Sequence, residues 1–422
     1  MSTTLIHGSR RIGSGFVIVG VATITLLVML CLGHFVGWEP TWRSLGITPL
    51  SPHFFDMHGV MQQAACASKG YDPYSTNACY PIVPIDIPPI WLWFGHIGID
   101  GSDATWLSAL EIAATFVVLV ALFKGRSIFF GAIASMAMLS PSVMMGVERG
   151  NVDLSILALV AGAALIFQET KARRFCLTVV VTELAVVLKL FPVFCVALAA
   201  RFSARRIIFA LAIAILSLVY LALIANYLPI IRHDAPTTFM LSYGYKVLFL
   251  GLDHLRDEAG LSPLGLGDTW VPLTLVAITL ILAAATAALL SWRQRSLVCT
   301  IANSAAGTAF CFGSGIYVGT FLLGSNFIYR LMFLLLCLPQ LQDWGSGTFE
   351  DEDRTKVIGR GLIALILATL WLNGDPNGHS TFLLIPQLVD WLMFFALTTI
   401  LVFNFLNSAA SASKRSAAQD TN

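Results

Sequence analysis

The chain has 422 residues, 57% of them hydrophobic and only 12% charged, with a mean hydropathy of +0.79. A soluble domain carries about twice that share of charge, so a water-soluble globular protein is excluded. The net charge of +1 says nothing about partners, but its distribution along the chain does.

Apolar runs of roughly twenty residues recur from end to end and predict a polytopic, all-α membrane protein. The first run, Phe16 to Val36, follows Arg10 and Arg11, and no small-residue cleavage motif precedes Trp38. It reads as a retained first helix. Further spans are expected at 104–123, 127–145, 154–168, 175–188, 190–200, 207–227, 270–291, 297–323, 327–341, 361–373 and 384–406, twelve in all. Several are too short to cross a hydrocarbon core of ~30 Å as straight helices. Segments 175–188 and 190–200 read as two half-depth helices meeting at Lys189–Pro192. Such a break survives in a membrane only inside protein or along a cavity.

An even number of spans puts both termini on one side. Seventeen of the 25 Lys and Arg residues fall on that side and eight on the other, which makes the terminal side cytoplasmic. The expected location is the plasma (inner) membrane, with outer loops 37–103, 146–153, 228–269 and 374–383. Residues 1–407 read as a single integral membrane domain. The small, polar tail 408–422 reads as disordered. The cytoplasmic loops are short and basic, so a site on the outer face is favoured. The sequence shows no nucleotide fingerprint, metal-ligand spacing or nucleophile elbow. No cofactor, metal or nucleic-acid partner is expected.

The polar stretch His53 to Trp91 holds Asp56 between His53 and His58. Phe55, Val60, Met61 and Ala65 at helical spacing predict a short amphipathic helix on the membrane surface. A partly desolvated carboxylate there suits a general base, and His58 is a candidate substrate contact beside it. Asp56 equally fits a solvated acid at a helix start. Cys66 and Cys79 are the two cysteines in this loop, and a disulfide between them is open if the loop faces an oxidising compartment. Gly70 to Tyr74 is a turn, and Ile87 to Trp91 a rigid lead into a surface helix.

The hairpin ERGNVD carries Glu148, Arg149, Asn151 and Asp153. It either holds an anionic ligand through Arg149 or neutralises itself. Glu111, Glu183 and Lys189 lie in or at the ends of apolar runs, where an ionisable side chain marks a functional site by default. Lys189, at the helix break, suits a phosphate. Tyr329 and Arg330 follow Asn326 at the outer end of a late span, and Tyr243 and Lys246 sit on a large outer loop. Arg330 is a second outer-face cation for a phosphate, and Tyr243 and Lys246 suit a sugar ring or its hydroxyls; both pairs equally fit interfacial anchoring.

Asp56, Gly70–Asp72–Pro73–Tyr74, Pro88–Pro89, Gly150–Asn151–Asp153, the Lys189–Pro192 break and Tyr329–Arg330–Leu331 with Pro339–Gln340 together resemble the polytopic glycosyltransferases of family 87. The likeness is scattered over most of the chain. It implies a GT-C-like bundle of about 12 transmembrane or half-depth helices with outer juxtamembrane helices. It also implies inverting hexosyl transfer, with Asp56 as the base. The donor would be a polyprenyl-phosphate sugar, mannose-like, and the acceptor a lipid-linked or envelope glycan. The residues by themselves leave two other classes open: a transporter or flippase for a lipid or solute, and a non-catalytic scaffold of an envelope-polysaccharide assembly.

Overall fold

The computed structural model describes residues 13–74, 87–234, 239–293, 299–346, 352–373 and 384–419. Every predicted apolar segment contains a helix. The twelve expected crossings are not all confirmed. Among the described residues, six helices are long and apolar enough to cross a membrane: Ser14–Phe35, Gly101–Phe123, Ala204–Leu223, Val271–Trp292, Asp353–Leu372 and Leu384–Ser413. The bent pair Ile128–Met138 and Pro141–Arg149, angled at 57°, is either a broken seventh span or a re-entrant loop. The bend follows from Pro141, which excludes helical backbone at the residue before it; Ser140 is extended at ψ 150°. The chain is a multi-pass, mostly helical membrane protein.

Three of the remaining apolar segments are short and largely buried. Asp153–Ile166 is 14 residues, and Phe191–Ala200 and Ile328–Cys337 are 3₁₀ helices of ten residues each. Between those two 3₁₀ segments runs the buried helix Ala305–Phe321. Its glycines permit the close approach. A Cβ at Gly313 would stand 2.6 Å from the Phe333 carbonyl oxygen, and one at Gly319 2.1 Å from the Phe194 ring.

The expected break at Lys189–Pro192 is present. Lys189 is extended, ending the helix Ala172–Leu188. The carbonyls freed there find partners from elsewhere. Trp91 Nε1 donates to the Leu188 oxygen at 2.8 Å and Tyr220 Oη to the Val187 oxygen at 2.9 Å. Trp91 from the 37–103 loop and Tyr220 from the helix Ala204–Leu223 thus close the irregular backbone, as hydrocarbon surroundings require.

Polar contacts divide between two ends of the bundle. At one, Arg126 pairs with Asp343 at 2.6 Å, Arg206 with Glu169 at 3.1 Å, and Arg201 donates to the Ala302 oxygen at 2.5 Å. The outer-loop residues gather at the other. A two-stranded antiparallel pair there, Ser242–Tyr243 against Asn326–Phe327, joins the 228–269 loop to the late 3₁₀ segment. The tail expected to be disordered instead continues the last helix, Leu384–Gln419. Its run of Ala, Ser, Lys and Arg contains no Pro or Gly to stop it.

Gly319→Ala forces a methyl against the Phe194 ring. It is expected to destabilise the protein by about 1–3 kcal/mol, read as a lower unfolding midpoint in detergent. Gly162→Ala, with open space at its Cβ position, serves as the unaffected control.

Candidate functional site

Asp56 lies in the first turn of the helix Phe55–Ser68, half-buried. Met57, Met61, Ala64 and Ala65 form the helix's buried face. The helix Trp93–His96 packs against this face so closely that a Cβ at Gly95 would meet the Ala64 backbone at 1.9 Å. The predicted amphipathic helix therefore exists and is clamped on one side by the rest of its own loop.

The turn after Pro141–Arg149 brings the hairpin to Asp56. Gly150 ends that helix at φ +55°, and a Cβ there would lie 2.1 Å from Ser108 Oγ. Left-handed backbone and lack of space together demand glycine. Asn151 Oδ1 then accepts the Asp153 N–H at 3.0 Å, and its Nδ2 donates to Asp56 Oδ2 at 2.5 Å. The amide thus caps the next helix with one end and holds the candidate base with the other.

Asp153 is fully buried. Lys189 Nζ stands 2.6 Å from its Oδ1 and Arg330 Nε 3.3 Å from its Oδ2. Arg330 also donates to Asn326 and lies over the Phe191 ring, and Lys189 lies over the Tyr329 ring at 5.9 Å. Glu148 is buried and its Oε1 accepts the Leu50 N–H at 3.1 Å. Arg149 lies over the Phe327 ring at 5.5 Å and makes no hydrogen bond or ion pair among the described residues.

The geometry joins Asp56, Glu148, Arg149, Asn151, Asp153, Lys189, Tyr329 and Arg330 in one cluster. It corrects the expectation that Lys189 and Arg330 stand ready for a phosphate: both are engaged by Asp153. Arg149 is the cation of this cluster left for an anionic ligand. Tyr243, expected to meet a sugar, is fully buried, with its hydroxyl 2.7 Å from Thr320 Oγ1 and its ring stacked on Tyr317. Lys246 points toward Asp268, 3.8 Å away, apart from the cluster. His58 lies two residues from Asp56, about 200° around the helix, and its ring packs at Gly101 instead. Cys66 is disulfide-bonded, and Cys79 lies outside the described residues.

An apolar cavity of about 340 Å³ opens beside the cluster. Phe54 and Val147, each two residues from Asp56 and Arg149, line it together with Trp38, Met144, Leu157 and Leu335. Among the described residues no three His, Cys, Asp or Glu side chains converge as metal ligands would. Sequence reasoning missed this cavity, because its walls come from seven separate helices. It also missed the partner of Glu111, which is Ser155 at 3.1 Å; the unpaired acid in an apolar run was the available signal.

No family model, curated protein or solved structure matches the chain, so the chemistry is argued from this geometry.

Asp153→Asn leaves two part-buried cations without their counter-charge. The expected loss of stability is about 3–5 kcal/mol, measured as thermal unfolding in detergent. Asp56→Asn, at a half-exposed site, is expected to cost at most about 1.5 kcal/mol.

Proposed function

We propose that the protein is an integral-membrane glycosyltransferase. It moves a sugar, mannose-like, from a polyprenyl-phosphate donor to a lipid-linked or envelope-glycan acceptor on the non-cytoplasmic face of the plasma membrane. One observation carries the reading: a half-exposed carboxylate, oriented by Asn151, shares a cluster with an arginine that makes no hydrogen bond or ion pair among the described residues, beside an apolar cavity. That combination suits a substrate with a lipid chain, an anionic head and a reacting centre next to it. The GT-C-like architecture and the transfer of Asp56's role rest on the resemblance described above.

Asp56 takes the proton of the acceptor hydroxyl as its oxygen attacks the anomeric carbon from the side opposite the phosphate. The bond from that carbon to the phosphate oxygen breaks, and configuration inverts. The electron pair leaves with the lipid phosphate, whose charge Arg149 meets. Asp56, open to solvent on one side, then releases its proton to water. Asn151 keeps the carboxylate aimed throughout.

The test is transfer of label from radiolabelled polyprenyl-phosphate sugars in membranes containing the protein. Asp56→Asn is expected to lower the rate by about 10²-fold or more. Normally inserted Asp56→Asn protein with full activity would end the proposal. Arg149→Ala is expected to raise KM for the donor by roughly tenfold or more, with a smaller effect on the acceptor. The buried charges also suit a transporter; donor movement across the membrane without sugar transfer would favour that reading.

A further inference from the structure

The helix Ala104–Phe123 turns Trp106, Leu110 and Val117 outward. On its other face it carries Ser108, Glu111 and Thr115, at steps of three and four residues, all buried. Leucine or alanine would pack such a face in a membrane span at no polar cost. These three residues instead meet one short stretch of chain. Ser108 lies against Gly150, Glu111 Oε2 accepts from Ser155 Oγ at 3.1 Å, and Thr115 Oγ1 donates to the Leu154 oxygen at 2.7 Å. The stripe is the back wall of the turn that delivers Asn151 to Asp56. Glu111 is the expensive member: it is 4% exposed, and its Oε1 is buried with no hydrogen-bond partner among the described residues.

We propose that Glu111 is a positioning residue for Asp56: through its hydrogen bond to Ser155 it fixes the 150–155 turn and so holds Asn151 on the Asp56 carboxylate. This rests on the reading of Asp56 as the reacting group. Glu111 also lies within electrostatic reach of Asp56, and the test separates its hydrogen bond from its charge. Other charged groups surround Asp56: Glu148 and Arg149 on the preceding helix, Asp153, Lys189 and Arg330 beyond the turn. His58 lies on its own helix, and His96 and Asp103 on elements packed against that helix. None of these is altered by the test.

The experiment labels Asp56 in the full-length protein with a carbodiimide and an amine, located by mass spectrometry, across a range of pH. Carbodiimide reacts with the protonated carboxyl, so the labelling midpoint reports the proton affinity of Asp56. Loss of a donor to the carboxylate raises that midpoint. Asn151→Ala is expected to move it up by about one pH unit. Glu111→Ala and Ser155→Ala are expected to move it in the same direction, and Glu111→Gln, which still accepts from Ser155, to leave it unchanged. An unmoved midpoint in both alanine variants overturns the proposal. So does a shift in Glu111→Gln, which would assign the effect to charge. Ser155→Ala tests the same link should Glu111→Ala fail to fold. The labelling needs no substrate, so a protein without transferase activity still gives the answer. A transferase whose alanine variants label like the native protein loses this inference alone.

Discussion

The carboxylate of Asp153 ties together three parts of the chain that hydropathy treats as unrelated. They are the turn after Gly150, the helix break at Lys189 and the 3₁₀ segment that carries Arg330. A fully buried carboxylate is tolerated only when paired and hydrogen-bonded. Here two cations and the start of its own helix meet that condition, while the Asn151 side chain accepts the Asp153 backbone N–H. The arrangement carries one positive charge in excess. Asp56 stands just outside it, joined through the same asparagine. The position of the candidate base therefore depends on an ion pair that it does not itself make.

The site forms where the backbone is least regular. The bend at Ser140–Pro141, the left-handed Gly150, the extended Lys189 and the two 3₁₀ segments all lie in or beside it. Regular spanning helices surround this interior and face lipid. Irregular backbone in a membrane exposes polar groups that must find partners, and here the outer loop supplies one through Trp91. The same irregularity leaves side chains free to converge from different depths, which a bundle of straight helices does less readily. The apolar cavity lies next to this region.

Much of the fold was legible in the sequence. Apolar runs marked every helix long enough to span a membrane, Lys189–Pro192 marked the break, and ERGNVD marked the turn. The number of crossings was not legible, because an apolar run reads the same whether lipid or protein surrounds it. Phe191–Ala200 and Ile328–Cys337 are apolar because they face the central helix. Within the candidate site, Asp56, Arg149, Asn151 and Asp153 were found from local patterns. Tyr243 was misread because a loop tyrosine with an apolar body fits a buried stack as well as a sugar ring.

The sequence by itself determined a multi-pass helical membrane protein, its breaks, and the loops holding its acids and bases. Each of these follows from local hydropathy, proline and glycine. The tertiary structure decided which charge meets which. Asp56 finds Asn151 across 95 residues, and Asp153 finds Arg330 across 177. Those distances in sequence carry no periodic signal. The pairing is set by which helices can approach closely, and hence by small residues and bends elsewhere in the chain. It also set the roles of the cations: Lys189 and Arg330 became internal partners of Asp153, and Arg149, over the ring of Phe327, was left facing the site.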